Sequence, residues 1–171
     1  MAKLAVDYLT ILETLRRHGV DFIVVSGVCA VLHGAPLATF DLDVVHSREP
    51  RNLARLIAAL EELEVRYRVP GRRDKKPGPS HLASAGHQLL MTCFGPLDLL
   101  GTIGKGHDYG QLLNETVELE IGGGPKVRVL SLERLVETKE EVGQAKGRAV
   151  LPVLRQVLEE RSKPRKSRHG K

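Results

Sequence analysis

The stretch Phe22-Ile23-Val24-Val25-Ser26-Gly27-Val28, followed by Thr39-Phe40-Asp41-Leu42-Asp43-Val44-Val45, decides the fold. Phe22 to Val25 is short, apolar and rich in β-branched residues, which reads as a buried strand. It breaks at Ser26-Gly27, and Val28 to Leu32 continues as a short helix closed by Gly34 and Pro36. Free amides at a helix start, with glycine allowing close approach, form an anion site. From Phe40 to Val45 the pattern alternates, with Phe40, Leu42 and Val44 on one face and Asp41, Asp43 and Val45 on the other.

That alternation projects Asp41 and Asp43 from one face of the strand, roughly 7 Å apart at their Cα atoms. A lone Asp-x-Asp on a solvent face is commonplace. Here the pair is embedded in a core-like strand, and Asp98 sits in a second apolar run, Pro96-Leu97-Asp98-Leu99-Leu100. Carboxylates are rarely buried unless paired or bound to metal. Three of them without a nearby cation in sequence point to a divalent ion, and hard oxygen ligands suit Mg²⁺ or Mn²⁺. The competing reading has Asp98 capping a turn and the other two facing water.

Outward from this stretch, Ala5, Tyr8, Leu9, Leu12 and Leu15 recur at helical spacing ahead of Gly19. Leu53, Leu56, Ile57, Leu60 and Leu63 form a second amphipathic stripe. Val65 to Val69 reads as a strand and Pro70 to Ser80 as a loop. Gln88 to Phe94 and Leu97 to Leu100 read as strands with Gly95-Pro96 between them. Thr116 to Ile121 and Lys126 to Leu130 alternate around Gly122-Gly123-Gly124-Pro125, a hairpin signal. Ser131 is a good N-cap for a helix to about Glu141. Val150, Val153, Leu154, Val157 and Leu158 mark a last helix, with Pro152 in its first turn. The order predicts an α/β architecture: one mixed sheet with flanking helices, plus a C-terminal helix. The predicted organisation is a domain over residues 1–146, a helix packed on it over residues 147–160, and a disordered basic tail over residues 161–171.

The chain has 171 residues, 42% hydrophobic and 27% charged, which suits a globular domain with a real core. No run approaches the roughly 20 apolar residues of a membrane span, and the start lacks a signal sequence. Cys29 and Cys93 are too few for a disulfide scaffold. A cytoplasmic protein is expected. The net charge of +5 is concentrated in Arg72, Arg73, Lys75 and Lys76 and in the tail after Glu160. Such clusters attract polyanions by counterion release, or serve only as solvated faces.

The segment Ser26-Gly27-Val28, Ala30 and His33-Gly34, then Thr39-x-Asp41-Leu42-Asp43-Val44-Val45, resembles the nucleotidyltransferase fold of the DNA polymerase beta superfamily. It is most similar to the small prokaryotic group of minimal nucleotidyltransferases and AbiEii-type toxins. Asp98 matches the later acid of that superfamily. Val127-x-Val129-Leu130-Ser131-Leu132-Glu133-x-Leu135, followed by Lys139, is similar to the segment after its catalytic sheet. The chain departs from many relatives in having Leu37 where they carry arginine. It also lacks an acid after Lys146-Gly147-Arg148.

The resemblance implies that Asp41, Asp43 and Asp98 are catalytic and hold Mg²⁺ or Mn²⁺. It implies that Ser26 and Gly27 bind the phosphates of a nucleoside triphosphate, and Lys139 is a candidate phosphate contact beside them. The expected function is metal-dependent transfer of a nucleoside monophosphate to a hydroxyl, with RNA such as tRNA as the acceptor reached through the basic loop and tail. Two alternatives stand beside it. One is a non-catalytic nucleotide- or partner-binding module of the toxin–antitoxin kind. The other is an enzyme acting on small aminoglycoside-like alcohols. His33 reads as a packed, hydrogen-bonded histidine, and His81, His87 and His107 lack zinc-ligand spacing.

Overall fold

The computed structural model describes residues 7–143 and 145–163. Helix α1 (Tyr8–Arg17) starts at Asp7, whose carboxylate accepts the Thr10 amide at 3.0 Å. Strand β1 (Phe22–Val25) is buried along its whole length, and helix α2 (Ser26–Leu32) follows with no intervening residue. Strand β2 (Leu42–His46) leads to helix α3 (Pro50–Glu62) and the two-residue strand β3 (Arg66–Tyr67). A short helix α4 (Pro79–Ala83) precedes the hairpin of β4 (His87–Thr92) and β5 (Gly95–Leu100). Helix α5 (Tyr109–Leu112) leads to the hairpin of β6 (Thr116–Glu120) and β7 (Lys126–Leu130). Helices α6 (Leu132–Val142) and α7 (Ala145–Ser162) close the chain.

Among the described residues seven strands form one mixed sheet, in the order β3-β4-β5-β2-β1-β7-β6. The centre of that sheet is fixed by burial. Ile23, Val24, Leu42, Val44, Val45, Leu97, Leu99 and Val129 have no exposed surface, so a one-residue slip of any of these strands would bring polar side chains into the core. β2 runs antiparallel to β1 and parallel to β5. Helix α2 packs against α6, and α6 against α7. The α/β class with a mixed sheet and flanking helices is therefore the fold adopted.

Several local expectations differ from the structure. Phe40 precedes β2 and is 76% exposed, so it does not share the buried face of Leu42 and Val44. Leu9 is half exposed, and Ile11 takes its place in the core. Gly95 and Pro96 belong to β5, and the turn is Cys93-Phe94, because Thr92 pairs directly with Gly95. Helix α4 lies where a loop was expected up to Ser80, with Pro79 in its first turn. Helix α7 starts at Ala145, which puts Pro152 in its interior instead of its first turn. Both Pro152 and Arg148 are exposed, so water can serve the carbonyl that proline leaves without a donor. The same helix includes Arg161 and Ser162, assigned to the tail from sequence. Residues 164–171 of that tail lie outside the described residues.

Candidate active site

The site is one transverse row across the sheet. The register pairs Val25 with Asp43, Asp43 with Asp98, and Asp98 with Leu89. Arg68, just past β3, continues the row by donating its backbone N–H to the Leu89 carbonyl at 3.1 Å. At the other end, Val25 gives way to Ser26-Gly27 and the start of α2. Pairing alone thus brings the phosphate-type turn and two of the three aspartates side by side.

Ser26 has φ +59°, a left-handed conformation that a residue with a side chain adopts at a cost of about 1–3 kcal/mol. The kink turns the chain from strand to helix without a linker and sets Ser26 beside Asp43. Gly27 is required by close approach: a Cβ there would lie 2.5 Å from Thr39 Oγ1. The segment leading into Asp41 therefore lies directly on the turn. Tyr8 holds that segment from the far side, its hydroxyl donating to the Thr39 carbonyl at 2.6 Å.

All six residues predicted from sequence (Ser26, Gly27, Asp41, Asp43, Asp98 and Lys139) line one cleft of about 580 Å³. Helices α6 and α7 add apolar lining through Leu135, Val142, Val150 and Leu154, with Thr138 and Lys139 of α6 among them. The loop after β5 forms part of the rim through Ile103 and Gly104. It is pinned to α6 by the Lys105 amide and His107, both on Glu141, at 3.3 Å each.

Arg68 was not anticipated. It reaches over Leu89 and grips Asp98 with both prongs of its guanidinium, the Nη2–Oδ2 distance being 2.9 Å. Nη2 stands 3.8 Å from Asp41 Oδ2, and Nη1 also donates to the Leu90 carbonyl at 3.2 Å. The only sequence signal was an arginine in a strand-like run, which is not distinctive. Asp43 receives no such cation, and its Oδ1 is buried with no hydrogen-bond partner. Burial first, then the facing Asp98 carboxylate, push its pKa up from 3.8 to about 7.

The donor chemistry fits a hard divalent cation: oxygen ligands, a buried oxygen lacking a partner, and two carboxylates in register. In this arrangement, however, no three His, Cys, Asp or Glu side chains among the described residues stand together as a ready cluster. Arg68 takes both oxygens of Asp98.

His33 and the two cysteines fall outside this cleft. His33 Nε2 bonds the Leu130 carbonyl at 2.8 Å and its Nδ1 faces Arg161 Nη1 at 3.1 Å, so it is packed between α2, β7 and α7. Cys29 is fully buried against the Leu130 carbonyl, and burial raises its pKa to about 12. Gly122 and Gly123 form the β6–β7 turn.

No protein-family model matches the sequence, and no curated protein matches it. The fold is similar to a crystal structure from Thermotoga maritima, of a protein provisionally assigned as a nucleotidyltransferase. That likeness has a TM-score of 0.56 at 18% identity and covers 90% of this chain and 94% of the other. The chain adopts a nucleotidyltransferase-like fold. No described helix is long and apolar enough to cross a membrane.

Proposed function

We propose that this protein is a metal-dependent nucleotidyltransferase that moves a nucleoside monophosphate from a triphosphate to a hydroxyl acceptor, with RNA as the acceptor class. The observation that carries the reading is the row Ser26-Gly27, Asp43, Asp98 at the floor of one cleft in a nucleotidyltransferase-like fold.

Asp41, Asp43 and Asp98 would hold Mg²⁺ or Mn²⁺, which when bound neutralises triphosphate oxygens and polarises the transferred phosphorus. The chain's own groups bind and orient. The Gly27 amide at the start of α2 and the Ser26 hydroxyl would meet the phosphates, and Lys139 adds positive charge on the same cleft. The apolar lining of Leu135, Val142, Val150 and Leu154 limits water around the reacting atoms. Asp98 assists removal of the acceptor's hydroxyl proton once its oxygens are released from Arg68.

RNA as acceptor is supported by the positive charge of the basic loop, which the structure ties to the sheet edge. Arg72 stacks on the Tyr67 ring at 4.2 Å, and the Tyr67 amide donates to the Lys75 carbonyl at 2.9 Å. The loop that carries Arg72, Arg73, Lys75 and Lys76 is thereby anchored to β3 at the edge of the sheet. Phosphate contacts outside the reaction centre would position a polyanionic acceptor.

A second reading is a non-catalytic module of the same fold, of the kind the AbiEii-type likeness suggests. It is favoured by Arg68 filling the carboxylate cluster. The deciding experiment incubates the protein with each labelled nucleoside triphosphate, Mn²⁺, and either total RNA, a protein mixture or small amino-alcohols. Label on RNA that disappears with Asp43→Asn supports the transferase. Label on proteins or amino-alcohols instead removes RNA and keeps the transferase. No label on any acceptor, with all four nucleotides, leaves the non-catalytic reading.

A further inference from the structure

We infer that Arg68 is the resident counter-ion of the carboxylate cluster and couples metal binding to triphosphate binding. The divalent cation enters only as Arg68 leaves, and Arg68 leaves for the phosphates the cation brings. The inference rests on the metal-dependent reading above and adds a residue and an order of events to it.

The geometry is specific. Asp98 is a buried carboxylate whose two oxygens are both taken by the Arg68 fork. A planar guanidinium matches a carboxylate two-pronged in a way no ammonium does. Asp41 shares the same guanidinium at 3.8 Å. Two of the three candidate metal ligands therefore share one guanidinium, which is bonded to Asp98, and the third, Asp43, is left with a buried Oδ1 that has no partner. A cation taking Asp98 must displace the guanidinium from it.

Displacement has a route. Arg68 follows the two-residue edge strand β3, and its side chain crosses Leu89, which is 36% exposed. Its neighbours on that outer sheet are Arg66 and Met91, which pair with each other and are both exposed. Moving out over Leu89 leaves the guanidinium at the edge of the cleft, where the partner it has lost is replaced by triphosphate oxygens. Without triphosphate, displacement leaves Arg68 with no anion in exchange. Metal alone therefore binds weakly, and metal with triphosphate binds together.

Mn²⁺ binding is measured by the loss of the free-ion EPR signal, with and without a non-hydrolysable triphosphate analogue, in the intact chain and in Arg68→Gln and Arg68→Lys. The wild type should bind Mn²⁺ at least about tenfold more tightly with the analogue than without it. In Arg68→Gln, Mn²⁺ alone should bind at least about tenfold more tightly than in wild type, and the gain from the analogue should shrink. Arg68→Lys keeps the charge without the fork and should fall between. Thermal melts give a second readout: Arg68→Gln should melt below wild type without metal and recover most of the loss with Mn²⁺ alone. An unchanged or weaker Mn²⁺ affinity in Arg68→Gln and Arg68→Lys, while wild type binds Mn²⁺ with the analogue, overturns the inference and leaves the transferase reading. Failure of every variant to bind Mn²⁺, with or without the analogue, overturns both.

Discussion

Asp43 and Asp98 are register partners on neighbouring parallel strands, and the Arg68 guanidinium serves Asp98 while Asp43 Oδ1 is left buried and unpartnered. Two carboxylates side by side in a partly dry cleft cannot both ionise freely. The chain answers this with one arginine and one raised pKa.

The raised pKa of Asp43 sets a pH dependence of stability in the metal-free protein. The folded state holds the Asp43 proton up to about pH 7, whereas the unfolded chain releases it in the ordinary carboxylate range. Between these values the folded state binds more protons, so stability falls as pH rises through that window. Asp43→Asn removes this contribution to the slope. At pH 8 it should melt above wild type by at least about 2–4 °C, the shift for about 1 kcal/mol in a domain of this size. The same change in melting temperature between pH 5 and pH 8 in Asp43→Asn as in wild type would contradict the assignment.

Gly27→Ala tests the contact between the turn and the segment before Asp41. The added Cβ would meet Thr39 Oγ1 at 2.5 Å, so Thr39 must move and carry Asp41 with it. Triphosphate affinity should drop about tenfold or more, equivalent to about 1.4 kcal/mol, with only a modest loss of stability. Thr39→Ala in the same chain should restore part of the affinity. Isothermal titration with a non-hydrolysable analogue and Mn²⁺ measures both.

The C-terminal helix is held by His33 and Arg161. Arginine only donates and a carbonyl only accepts, so His33 is neutral, with its proton on Nε2 towards Leu130 and its Nδ1 accepting from Arg161. Burial, ahead of the other causes, lowers its pKa. This stabilisation is complete above the ordinary histidine value near 6.5 and fades as pH falls through the lowered one. Arg161→Ala should cost about 1 kcal/mol at pH 7.5 and also remove the bond from Arg161 to the His33 carbonyl. Urea melts should show that acidification from pH 7.5 to 5.5 shifts stability less unfavourably in His33→Gln than in wild type.

The two cysteines should differ sharply towards alkylation. Cys29 is buried with a pKa pushed up to about 12, whereas Cys93 is exposed in the β4–β5 turn. Iodoacetamide at pH 8 should add one group to the native protein, on Cys93, and a second only in denaturant. Peptide mass spectrometry locates the adducts, and native alkylation of Cys29 would show that α2 opens away from β7.

Sequence by itself determined the alternation that separates Asp43 from Leu42 and Val44, the strand-to-helix break at Ser26-Gly27, and the α/β class. These are local: side-chain period and turn chemistry are written in adjacent residues. The third aspartate was legible only as an acid out of place in an apolar run. Tertiary structure decided the rest. It set Asp98 beside Asp43 through the β2–β5 register and brought Thr39 onto Gly27. It also closed the cleft with α6 and α7 and sent Arg68 across β4 to Asp98. Thirty residues separate Arg68 from Asp98, and neither carries a local sign of the other. Their pairing follows from strand order and burial, which exist only once the sheet has formed.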